Sequence, residues 1–169
     1  MSTLTRRTRF DPGLTLSVMT GSGQPTAGSD AFNQTIRAAV NTVDPNTLHP
    51  VAPSNAGPAF QPKELLASII HCYARQIYGS TEIEVMLAGN TDTQPFGLTA
   101  WPDAHLFREF RRDNRTAIQQ CLMTALWLLG QQKVKDGTVT RVNTTNLAEE
   151  ASRRIIMAMF TDSMELGEG

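Results

Sequence analysis

Gln61-Pro62-Lys63-Glu64-Leu65-Leu66-Ala67-Ser68-Ile69-Ile70-His71-Cys72-Tyr73-Ala74-Arg75-Gln76-Ile77-Tyr78-Gly79 decides the fold class. Leu65, Leu66, Ile69, Ile70, Tyr73 and Ile77 recur at intervals of three and four, which places them on one face of an α-helix. Pro62 is tolerated in the first turn, where its missing N–H has no helical partner, and Gly79 is expected to end the helix. Thr81 and Glu84 have capping-box spacing, so a second short helix is expected to carry Ile83, Met86 and Leu87 and to stop near Gly89. Helix, tight turn and short helix predict a helix-turn-helix-like core. In the following loop, Asn90 to Pro102, Trp101 is expected to plug the core. Asp103 then reads as the N-cap of a third helix running to about Gly130.

The third helix carries the charge pattern of interest. Arg108, Arg111, Arg112 and Arg115 are spaced i, i+3, i+4, i+7 and would form one stripe on a continuous helix. Phe107, Phe110, Ala117, Cys121, Ala125 and Leu128 form an apolar seam beside it. Guanidinium groups in such a row can present fixed forks to phosphates or guanine edges. A solvated or salt-bridged face is the bland alternative. Past Gly130, Lys133 to Val142 alternates around Asp136-Gly137, which predicts a short β-hairpin carrying Lys133, Lys135 and Arg141 as a basic wing. A last helix is expected from near Asn146, capped through Glu149, with Leu147, Ala151, Ile155, Ala158 and Met159 on one face. Glu149 with Arg153 and Glu150 with Arg154 are i, i+4 pairs that would support it. Its Ile- and Met-rich apolar face calls for cover, either from the helical core or from another copy of the chain.

Upstream of residue 60 the composition changes. Gly21 to Ser29 and the prolines at 45, 50, 53 and 58 break every candidate element, so residues 1–59 are expected to be a flexible tail. One short helix over Asp30 to Val40, with Phe32, Ile36 and Val40 spaced by four, has too little apolar face to stand alone. The fold class expected is therefore all-α: a helical domain over 60–132, then a hairpin and a C-terminal helix over 133–169.

Global composition excludes several functions. The 169 residues carry a formal net charge of −1 with 18% charged side chains, so a nucleic-acid surface would have to be a local patch. No apolar run approaches the roughly 20 residues of a membrane span, and no secretory leader is evident, which points to a cytoplasmic protein. Cys72 and Cys121 sit in helical patterns without metal-ligand spacing, and His49, His71 and His105 lack a second ligand at i+3 or i+4. Neither a P-loop nor a Rossmann glycine run nor a Gly-x-Ser-x-Gly elbow occurs, so no cofactor, small-molecule substrate or enzymatic activity is expected.

The order Pro62-Lys63-Glu64-Leu65-Leu66, Cys72 to Glu84, Pro102-Asp103 and Phe110-Arg111-Arg112-Asp113-Asn114-Arg115 resembles the N-terminal helical domain of bacterial insertion-sequence transposases. That resemblance covers roughly a third to two fifths of the chain. In such proteins the domain precedes an RNase H-like catalytic domain with an acidic triad. It implies binding of duplex DNA through the arginine-bearing helix, without a catalytic domain in this chain. Two alternatives accompany it: a protein–protein assembly module, pairing with itself or with a full-length transposase, and one part of a split transposase. Asp136 also resembles a first catalytic acid, but two-metal phosphoryl transfer needs several converging carboxylates, and a turn is the better reading.

Overall fold

A computed structural model of the chain describes residues 27–52, 59–89, 96, 98 and 100–167. Six α-helices lie within them: α1 (Ala27–Asn41), α2 (Pro62–Ala74), α3 (Ser80–Gly89), α4 (Ala104–Asp113), α5 (Arg115–Lys135) and α6 (Leu147–Glu165), with a 3-10 turn at Pro45–Thr47 after α1. The expected all-α class holds, and the described residues contain no strand. α5 is the axis of the assembly, since α1, α2, α4 and α6 all pack against it. α3 lies against α4 and α6, whereas α2 lies against α1 and α5.

The core follows the helical spacing of α2. Leu65, Leu66, Ile69, Ile70, Cys72 and Tyr73 are buried there, joined by Phe107 and Phe110 of α4 and by Ile118, Cys121, Leu122 and Ala125 of α5. α2 stops at Ala74 rather than at Gly79. Ile77 N–H donates to Cys72 O at 2.9 Å and Gln76 N–H to Tyr73 O at 3.1 Å, a Schellman ending in which Gln76 takes the left-handed conformation at φ 63°. Gly79 serves packing instead. A Cβ there would lie 2.6 Å from Glu165 Oε1 and 3.1 Å from Thr161 Cγ2, so a side chain at this position would have to push the Glu165 carboxylate aside and crowd the Thr161 methyl.

Several expectations need correction. The hairpin over Lys133 to Val142 does not form. Lys133 and Lys135 belong to the last turn of α5, Asp136 is its C-cap, and Gly137 at φ 75° ends the helix, with Thr138 N–H donating to Lys133 O at 2.9 Å. Asp-Gly supplies the left-handed residue that a hairpin turn needs, and a helix C-cap needs the same conformation. The third helix is also not continuous. Asn114 divides it with φ −120° and ψ 23°, giving α4 and an α5 that runs past Gly130 to Lys135. The expected boundary at 132/133 therefore falls inside α5.

Part of the expected tail belongs to the core. α1 packs on α2 and α5, burying Ile36, Ala39 and Val40, and Leu48 is buried just beyond it. Its apolar face is too narrow to stand alone but sufficient once α2 and α5 offer a groove. The Asn114 side chain holds the segment after α1 in place. Its Oδ1 accepts from His49 N–H at 2.7 Å, and its Nδ2 donates to His49 O at 2.9 Å. Residues 1–26 and 53–58 of the expected tail lie outside the described residues. Trp101 is 43% exposed rather than a plug, and among the described residues of that loop Phe96, Leu98 and Pro102 are buried.

Since Ile36 has no exposed surface, Ile36→Ala should cost about 2 to 5 kcal/mol in denaturant unfolding. Deletion of residues 1–58 should lower the thermal transition strongly. An unchanged melting temperature for the truncated chain would contradict the packing of α1.

Candidate interaction site on the arginine row and helix six

The four arginines have three different environments. Arg111 points inward and is only 6% exposed. Its Nη2 pairs with the Asp162 carboxylate of α6, while Nη1 donates to Tyr73 Oη at 3.0 Å and approaches Ser80 Oγ at 3.4 Å. Asp162 is buried as well and accepts from Ser80 N–H at 2.7 Å and from Ser80 Oγ at 2.6 Å. One carboxylate thus neutralises a guanidinium and also satisfies an orphan N–H at the α3 N-terminus, where the helix dipole favours negative charge. Burial disfavours the Arg111 cation, but Tyr73 and Asp162 outweigh it and raise its pKa. Tyr73 is held up at about 12, burial raising it and the neighbouring Arg111 pulling it back.

Arg108 is partly buried, with Nε 3.8 Å from Asp162 Oδ2 and Nη2 3.7 Å from Glu165 Oε2. Its Nη2 also reaches Thr81 Oγ1 at 3.4 Å. The Thr81–Glu84 capping box expected for α3 is replaced: Glu84 Oε2 accepts from Ala104 N–H at 2.9 Å and ties α3 to the start of α4. Asp103 caps α4 as expected, accepting from Leu106 N–H at 2.8 Å. Arg112 is exposed and pairs with adjacent Asp113 at 2.9 Å, and Arg115 is exposed in the first turn of α5, beyond the Asn114 joint.

Lys133, Lys135 and Arg141 are exposed too, but at the opposite end of α5. Twenty residues of rise separate Arg115 from Lys135, about 30 Å. The seven basic positions therefore do not converge on one surface. Two are built into the interior contacts of α6, two lie near the Asn114 joint, and three lie at the far end of α5.

Sequence reasoning missed Asp162 and, although it paired Arg154 with Glu150 as the structure does, missed the reach of Arg154 to α2. Arg154 Nη1 donates to Tyr73 O at 2.7 Å and Ala74 O at 3.0 Å, satisfying carbonyls at the end of α2 that the helix leaves open. Its Nε binds Glu150 at 2.7 Å, and Arg153 binds the same carboxylate through Nε at 3.0 Å and Nη2 at 2.7 Å. Those contacts, led by the Arg153 hydrogen bond, hold Glu150 down at about 2. Asn146 makes no side-chain cap to α6. A lone Asp on the buried side of an otherwise apolar stretch was the available signal for Asp162.

α6 is apolar on two sides. Ala151, Ile155 and Ala158 face α5 and the core, and Met159, expected on that face, instead turns outward. Opposite them, Ile156 (52% exposed), Phe160 (60%) and Met164 (59%) follow one another at intervals of four, flanked by Met157, Met159 and Leu166. Nothing among the described residues covers this second face. Exposed large apolar side chains grouped along one helix face mark interaction surfaces more often than the same side chains scattered singly.

His71 is fully buried between Phe32 and Phe96, whose ring centroids each lie 5.3 Å from the imidazole at steep angles. Neither ring nitrogen has a hydrogen-bond partner among the described residues. Burial, aided by the Arg75 charge, lowers its pKa to about 4. Among the described residues no group of three His, Cys, Asp or Glu side chains could hold a metal ion, and no helix is long and apolar enough to cross a membrane. No protein-family model, curated protein or solved structure matches the chain.

Truncating Arg111 leaves buried Asp162 with only the more distant Arg108 as its cation, so Arg111→Ala should destabilise by about 3 kcal/mol, and Arg112→Ala by less than about 0.5. Arg111→Met combined with Asp162→Leu should lose less than either single change, measured by chemical denaturation.

His71 is neutral in the fold and ordinary when unfolded. Its contribution is complete above about pH 6.5 and is lost as pH falls toward 4, by at most about 3 kcal/mol. Unfolding free energies across that window should fall in the parent and stay flatter in His71→Phe. Equal slopes would contradict the assignment.

Proposed function

We propose that this chain is a helical assembly module that docks another polypeptide on the outer face of α6. The observation that carries the reading is the row Ile156, Phe160 and Met164, exposed on a helix whose opposite face is already buried. Arg108 and Arg111 support it from within. By gripping Asp162 and Glu165 they hold the C-terminal half of α6 against α3 and α4, so the outer row is presented on a fixed helix. A rigid helix with i, i+4, i+8 apolar anchors is the geometry of helix-in-groove recognition. The resemblance to transposase N-terminal domains makes a full-length transposase one candidate partner.

Cross-linking in the native cell tests this. The parent should give adducts heavier than the free chain, and Phe160→Glu with Met164→Glu should lose them while keeping the parent's melting temperature. Adducts of equal yield from both would overturn the reading.

Duplex DNA binding is a second reading, favoured by the exposure of Arg112 and Arg115, which flank the Asn114 joint. If they contact phosphates, replacing both by Ala should reduce the slope of log affinity against log salt by about two, without loss of stability. An unchanged slope would remove this pair from any DNA surface.

A further inference from the structure

We infer that the occupant of the outer α6 face is a second copy of the chain, bound antiparallel through α6 with Phe160 at the two-fold axis. The inference rests on the assembly reading and names its partner. The pattern of the face is self-complementary. With the two helices antiparallel and Phe160 against Phe160 of the second copy, Ile156 falls opposite the other Met164 and Met157 opposite the other Ser163. Aromatic and thioether groups meet at the centre, and no charge is buried there.

Charge fixes the direction. Arg153 lies one turn before Ile156 on the outer side and is exposed. In the antiparallel pair it approaches the C-terminal end of the other α6, where the open carbonyls and the helix dipole are negative. A parallel pair would place Arg153 beside its own copy and leave those ends unmatched. The area is of the right order as well. Six such side chains at their exposed fractions present on the order of 600 Å² per copy, somewhat below the ~800 Å² per partner of a standard interface. A two-fold pair closes the apolar row completely with one interface and leaves no sticky end.

Sedimentation of the full chain between about 1 and 100 µM should show a monomer passing to a dimer. Phe160→Glu puts two carboxylates on the axis and should weaken the dimer more than tenfold. Phe160→Cys should form a covalent dimer with itself under mild oxidant, as residues on a two-fold axis can. Ile156→Cys alone should not, because its copies are about 12 Å apart along the helices, beyond disulfide reach, whereas Ile156→Cys mixed with Met164→Cys should cross-link. Cys72 and Cys121 are buried, with thiols pushed up by burial, Cys121 to about 12, so they leave a quiet background.

A dimer indifferent to Phe160→Glu, or one in which Ile156→Cys links to itself as readily as Phe160→Cys, overturns the antiparallel pair. So does a monomer at every concentration. Peroxide then separates the two readings: Met164 oxidised at the rate of a free methionine leaves the face open for a different protein, and Met164 protected in the monomer ends the assembly reading too.

Discussion

The buried pair of Arg111 and Asp162 is the constraint around which the helices are arranged. Neither charge could be left alone in the interior, since a solitary buried ion costs several kcal/mol even after relaxation. Satisfying both takes groups from four helices: the Tyr73 hydroxyl of α2, the Ser80 backbone and hydroxyl of α3, Arg111 of α4 and Asp162 of α6. Apolar packing could bring these helices together in many rotations. A carboxylate that must meet one guanidinium and one helix N-terminus admits very few, so the ionic node specifies which side of α6 turns inward and which side is left for water or a partner.

Arg154 repeats the principle at the other end of the same face. Its guanidinium reaches across to the last carbonyls of α2 while Glu150 balances its charge. α6 is thus fastened to α2 through Arg154 and to α3 and α4 through Asp162, with Ala151, Ile155 and Ala158 between the two fastenings. Small alanines let it lie close to α5. The outer row gains its functional meaning from this arrangement, because a helix pinned at two places on one side cannot roll to bury the other.

Much of the fold was legible in the sequence, for identifiable reasons. The core residues of α2, the Asp103 cap and the buried Phe107 and Phe110 followed from period and capping chemistry, which are local. What stayed hidden depended on partners distant in the chain. α1 reads as too weak to stand alone and is stable only against α2 and α5. Asp136-Gly137 has one conformational preference and two structural uses, and the choice between hairpin and helix end lay in whether α5 continued to it. The arginine row was recognised as a pattern on a continuous helix, but Asn114 turns the row and Asp162, far away in sequence, recruits half of it. An i, i+4 pattern tells which residues share a face and says nothing about what that face will meet.

The amide of Asn114 bears on how the chain comes together in time. It joins α4 to α5 and, through two hydrogen bonds across a separation of 65 residues, holds the backbone at His49. Ser80 and Asp162 close a loop of 82. Helical proteins are usually fast because their contacts are local, yet the contacts that lock this one span much of its length, and closing them costs chain entropy before any packing rewards it. Helices α4 and α5 have to be joined at Asn114 before the segment after α1 finds its anchor. On a chain made from its N-terminus, α1 emerges before α2 and α5 and has no groove to occupy until α5 has followed it.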